Sequence, residues 1–156
     1  MLALASSSYA QKTSMDYLIA GSRAYANGEY KESIAPYQKA LDLEKRDRKL
    51  ERKFWILLVD NLGMAYGMTG DIDSSFAVFR YGVSNEPTYP LFYYNLACGH
   101  GERGEEDEAI GQLRLAYKYK ANMLERFPNP ETDSSFAKFR GSSKFKKALA
   151  EMNEGK

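Results

Sequence analysis

An all-α fold made of three stacked helical hairpins is predicted by three features that share one register. Gly28, Gly70 and Gly104 recur as turn residues, small side chains recur at fixed offsets from them, and an acid (Glu29, Asp71 or Glu105) follows each glycine. Glycine reaches positive φ at little cost, so each suits the tight turn between the two helices of a hairpin. The acid behind it sits at the positive end of the second helix, where a negative charge is favoured.

The first hairpin places Tyr17, Ala20, Gly21 and Ala24 before its turn, and Tyr30, Ser33, Ile34, Tyr37, Ala40 and Leu41 after it. Around the second turn the chain runs Val59-x2-Leu62-Gly63-x2-Tyr66, then Ser75-x3-Phe79, then Pro87. The third carries Tyr93, Leu96, Ala97 and His100 upstream, and Ala109, Ile110, Leu113, Ala116 and Tyr117 downstream. Superposing the copies gives nine positions of close helix approach. They are Gly21, Gly63 and Ala97; Ser33, Ser75 and Ala109; Ala40, Gly82 and Ala116. All nine are small, because a larger side chain there would drive neighbouring helices apart. Tyr37, Phe79 and Leu113 are the knobs expected to fill the space, flanked by Ile34, Phe76 and Ile110.

From Gly28 to Gly70 is 42 residues, and from Gly70 to Gly104 is 34. The excess of eight is about two helical turns, so the second helix of hairpin one and the first of hairpin two each gain about one turn. The charged stretch Asp42 to Lys53 falls there and reads as a solvated helix face, with Glu44–Arg48 an attractive i, i+4 pair. Beyond the third hairpin, Phe127-Pro128-Asn129-Pro130 breaks the helix. Asp133 to Phe136 opens a short helix that Gly141 ends. Ser142 to Met152 forms another, with Phe145, Leu149 and Met152 on one stripe.

The quoted spacing, W-x2-L-G-x2-Y, A-x3-F and P at a 34-residue period, resembles the tetratricopeptide repeat family over about residues 14 to 120. The resemblance implies an α–α superhelix of antiparallel helix pairs, with repeats at about 14–47, 55–88 and 89–122 and a concave face lined by the first helix of each pair. Residues 1–13 stand outside the array. Residues 123–156 resemble the Asp-x-x-Phe, Leu-Arg, Phe-x-x-Leu segment that caps small bacterial proteins of this family, covering the apolar face that a last repeat exposes. The first repeat departs from the pattern at Ala20 and Ala24, and the third at His100 and Glu106.

Composition narrows the function classes. A net charge of +1 gives no overall attraction to nucleic acid or anionic lipid, and no stretch is apolar enough to span a bilayer. Cys98 is the only cysteine, so no internal disulfide forms. No metalloprotease, P-loop, dinucleotide or nucleophile-elbow motif is present, and no cofactor or metal is expected. His100, the only histidine, occupies a core aromatic position. Cys98, two residues away on a helix, points about 200° from it, which argues against a dyad. The sequence therefore reads as a non-enzyme. The start, Met1 to Gln11, reads either as a truncated signal peptide, with Ser8 and Ala10 at a cleavage site and export to the periplasm or beyond, or as a cytoplasmic N-terminus.

Family register puts Leu18, Ser22 and Tyr25, then Asp60, Asn61 and Met64, then Tyr94, Asn95 and Cys98 on the concave face. Asn61 and Asn95 stand where an asparagine commonly pins a ligand backbone in peptide-binding members, since a carboxamide both donates and accepts. The basic clamp for C-terminal carboxylates is absent, with Leu18, Ser22, Leu91 and Asn95 in its places. The expectation is a scaffold holding a peptide or extended segment of a protein partner in this groove. The alternative is an assembly subunit that self-associates, or joins a larger complex, through Phe54, Trp55 and the extended hairpin between repeats one and two, or through its exposed ends.

Overall fold

In the computed structural model, which describes residues 11–155, every regular element is helical. Helix α1 (Ser14–Ala26) pairs with α2 (Tyr30–Arg46), α3 (Arg52–Met68) with α4 (Ile72–Asn85), and α5 (Pro90–Arg103) with α6 (Glu106–Lys118). A 3-10 helix (Ser134–Phe139) and helix α7 (Ser143–Asn153) follow. Residues 1–10, on which most of the signal-peptide reading rests, lie outside the described range.

The three turn glycines have φ of 78°, 85° and 77°, the left-handed conformation that the repeat register demands. The small positions are equally specific. A Cβ built on Gly21 would come 2.5 Å from the Tyr37 ring, and one on Gly63 would come 2.5 Å from Phe79. Each knob thus rests directly on helix backbone across its own hairpin. Gly82 does the same between hairpins, where a Cβ would meet Phe92 at 2.8 Å.

Helix α2 also packs on α3, and α4 on α5, so the odd helices form one layer and the even helices the other. The odd helices touch one another directly, α1 with α3 and α3 with α5, at closer approach than the even helices make among themselves. The odd layer therefore lies on the inside of the curve. One core cluster fills hairpins one and two and reaches onto α5, around Tyr37, Trp55, Leu62, Phe79 and Phe92. A second joins α5 and α6 to Phe136, Phe145 and Leu149 of the C-terminal helices.

Helices α2 and α3 have 17 residues each, against 13 or 14 in α1, α4, α5 and α6, which accounts for the longer first spacing. The charged stretch between them differs from the sequence reading. Helix α2 stops at Arg46 and α3 starts at Arg52, so residues 47–51 form a connection and not a continuous solvated helix. Glu44 is buried, and its Oε2 accepts hydrogen bonds from the backbone N–H groups of Lys49 (3.1 Å) and Leu50 (3.0 Å). Arg48 instead reaches Glu86 at 2.9 Å and lies 4.2 Å from the Trp55 ring. Trp55 is 1% exposed, so it cannot serve as the contact surface expected of it. The connection folds back over the indole, and stacking under a guanidinium buries it.

Candidate functional site

The inner face is built from three stripes at i, i+4, i+7 and i+11, which keep one side of a helix in view. They are Met15, Ile19, Ser22 and Ala26 on α1; Leu57, Asn61, Met64 and Met68 on α3; and Leu91, Asn95, Cys98 and Glu102 on α5. Large apolar side chains left in water concentrate here: Ile19 is 50% exposed, Leu57 40% and Met68 55%. Met15, Met64 and Leu91 are half-buried beside them, packed onto the first core cluster.

The residues singled out from the sequence meet different fates. Leu18 is buried in the core, while Ser22, Tyr25, Asp60, Asn61 and Met64 are half-buried. Two cross-helix hydrogen-bond links tie this set together. The Tyr37 hydroxyl donates to Ser22 Oγ at 3.2 Å and accepts from Asn61 Nδ2 at 2.9 Å. Asn95 Nδ2 donates to Asp60 Oδ1 at 2.6 Å, bridging α5 to α3. Each asparagine thus spends one of its two amide N–H donors inside the molecule, leaving the other N–H and the carbonyl oxygen uncommitted by these bonds.

Over α5 the face is covered by the chain's own segment between α6 and the 3-10 helix. Asn122 Nδ2 donates to the Thr88 carbonyl at 3.0 Å, and the Phe127 ring packs 5.8 Å from Tyr94 and 5.1 Å from Tyr117. Asp133 Oδ2 accepts from the Tyr94 hydroxyl at 2.8 Å and lies 3.9 Å from Cys98 Sγ. The other Asp133 oxygen caps the 3-10 helix through the Ser135 N–H. Farther on, the Ser135 carbonyl sits against Gly101, and Lys138 donates to the Glu102 carbonyl. The segment therefore runs along α5 from its first turn to its last. Tyr94 and Cys98 lie beneath it, and burial raises both the phenol and the thiol above their usual ranges, so neither ionises near neutrality.

Asp60 is the electrostatic centre of the open part. Burial raises its pKa to about 6, against the hydrogen bond from Asn95, which lowers it; the charge of Glu125 raises it further. The same burial, with Asp60 nearby, raises the tyrosines Tyr25 and Tyr89 to about 12. Glu125 belongs to the covering segment, as does Leu124, which is 51% exposed.

Ile19, Leu57, Met68, Leu124 and Glu125 are absent from the sequence-derived set. For Ile19 the signal exists, because it occupies the repeat position of Asn61 and Asn95; Leu57 and Met68 extend the same α3 stripe by one turn at each end. Leu124 and Glu125 lie outside any period, and no pattern could have found them. His100 faces away from this site. Its Nδ1 meets Glu105 at 2.6 Å, and its ring packs 4.7 Å from Phe76 beside the third turn. Among the described residues, no helix is long and apolar enough to cross a membrane.

No family model matches the chain. Curated relatives do. The chain is 29% identical over 125 residues to the photosystem I assembly protein Ycf3 of Synechococcus elongatus, covering 76% of this chain and 69% of the relative. The Ycf3 of a second Synechococcus strain matches equally, and that of Rippkaea orientalis is 26% identical over the same shares. With three left-handed turn glycines, knobs seated on backbone glycines and sequential antiparallel helix pairs, the chain has the fold of a tetratricopeptide-like helical repeat and is distantly similar to Ycf3.

Proposed function

We propose that this protein is a non-catalytic scaffold that holds an extended segment of a partner protein along its inner face, over α1 and α3. The observation that carries this is the distribution of exposed apolar bulk. Of the five large hydrophobic residues exposed among those described, Ile19, Leu57, Met68 and Leu124 lie on or beside the inner face, and only Leu115 does not. Exposed apolar side chains gathered toward one face, in place of a random scatter, are the pattern an interaction surface leaves. In this reading Ser22, Tyr25, Asp60, Asn61 and Met64 form the floor, and Asn61 offers its carbonyl oxygen to a backbone N–H of the bound segment. Residues 14–120 act as the holding array, and residues 123–156 as a cap that also closes the α5 end.

The likeness to Ycf3 supports a role in building a multi-subunit complex, with the scaffold holding a subunit before it is placed. The test is affinity capture from the native host with the full chain and with a triple variant, Ile19→Ser, Leu57→Ser and Met68→Ser. A specific protein retained by the first and lost by the second, with both showing the same helical circular-dichroism spectrum, is the expected result. Equal retention by both would remove the inner face from consideration.

A further inference from the structure

Two carboxylates, Asp60 on the floor of the open face and exposed Glu125 on the covering segment near it, have no cation paired with them among the described residues. Asp60 Oδ1 is engaged by Asn95, and its second oxygen has no hydrogen-bond partner among the described residues. The groups facing it from each packed element are Tyr25 on α1, Tyr37 on α2, Tyr89 and Asn95 at α5, and Glu125 on the covering segment. None is basic. Arg52 approaches Tyr89, at 5.8 Å from its ring, but its guanidinium is already held by Glu86 at 2.8 Å.

Apolar surface brackets the acids on both sides. Leu57 is one turn before Asp60 and Asn61 on α3, Met64 is one turn after, and exposed Leu124 adjoins Glu125. A partly buried carboxylate without a counter-charge is poorly solvated, and a fitting cation would relieve that cost directly. The aliphatic stem of a long basic side chain would lie on the apolar surface while its head reaches the acids.

We propose that the segment held in this trough carries an arginine or lysine that seats between Asp60 and Glu125, with apolar residues on either side of it landing on Leu57 and Met64. The inference rests on the peptide-holding reading above and adds the chemistry of the occupant. It also gives capture a pH window. Near pH 7 Asp60 is mostly ionised, and it loses its charge as pH falls through about 6, so a basic segment loses affinity on acidification.

The test is selection of a random dodecapeptide library, displayed on phage, against the full chain. The expected result is enrichment of apolar peptides with one position favouring Arg or Lys by about fivefold or more. That preference should vanish for Asp60→Asn combined with Glu125→Gln, while apolar enrichment remains. Glu125→Gln alone, at an exposed position, keeps the test open if the Asp60→Asn variant is poorly folded, and should halve the preference or better. The best synthetic peptide should bind about tenfold more weakly when citrulline replaces its arginine, and also when pH drops from about 7.5 to about 5. Apolar peptides enriched without a basic position would overturn this inference and leave the trough reading standing. Peptides whose binding ignores the Ile19, Leu57 and Met68 serine variant, or no enrichment at all, would overturn both.

Discussion

The first two hairpins and the third present the same inner-face positions and treat them in opposite ways. Over α1 and α3 the stripe is open, with Ile19, Leu57 and Met68 in water. Over α5 the equivalent stripe lies under residues 122–138, and Tyr94 is 2% exposed. The physical difference is what each helix can lean on next. Helices α1 and α3 each have a following hairpin to pack against, so their inner faces need no further cover. Helix α5 has none. Its exposed flank is closed by Phe127 wedged between Tyr94 and Tyr117, by Asp133 on the Tyr94 hydroxyl, and by Phe136 and Phe145 in the second core.

The largest effect should come from breaking what both regions share. Gly63→Leu forces a branched side chain into the space of the Phe79 ring, and the intrinsic helix gain over glycine, about 1 kcal/mol, is too small to offset it. Loss of about 3 kcal/mol or more is expected, read as a fall in the urea midpoint of unfolding or an unfolded product.

Phe127→Ala targets the covered region alone. The ring is half-buried, so a cost of about 2 kcal/mol is expected, below that of a fully buried phenylalanine. Trypsin should then cut faster after Arg126, and amide exchange should rise in α5, with α1 and α3 unchanged. A uniform rise across all helices would show that the two regions unfold as one and that the contrast has no energetic meaning.

Asp60→Asn probes the open region. The folded pKa of Asp60 is raised, so the native state binds its proton more tightly than the unfolded chain does. Stability from this group is therefore present below about pH 4 and is lost as pH rises through about 6. The asparagine can still accept from Asn95. It should stabilise the protein by about 1–3 kcal/mol at pH 7 and leave it unchanged near pH 4. Thermal melts at the two pH values decide the matter, and a loss of stability at pH 7 would refute the assignment of burial as the cause.

The smallest effect on stability should come from Ile19→Ser, Leu57→Ser and Met68→Ser, each about 1 kcal/mol because only about half of each side chain is buried. Their effect belongs to binding. A large drop in melting temperature would mean these residues hold the fold together and are not a docking surface.

What could be read ahead of the coordinates was whatever recurs. The left-handed glycines and the nine small positions are steric requirements, and each is satisfied by residue type at a fixed offset. The longer α2 and α3 follow from arithmetic on the glycine spacing. The reading failed where one side chain answers to a distant part of the chain. Glu44 looked like a solvated charge because its backbone donors, Lys49 and Leu50, become accessible only once the helix has stopped at Arg46. Trp55 looked available because nothing local shows Arg48 folding over it. The same holds for Cys98, which shares the register of the half-open Ser22 and Met64 in the earlier hairpins.

The amino-acid order alone set the class of fold and the pairing of helices that gives the array an inner face, because periodic side-chain size acts through neighbours only a few residues or one hairpin away. Only the folded chain decided which part of that face stays open and where its uncompensated carboxylates sit. That outcome depends on residues 122–138 returning to α5, a contact between aperiodic segments whose strength lies in three-dimensional packing and leaves no spacing to read.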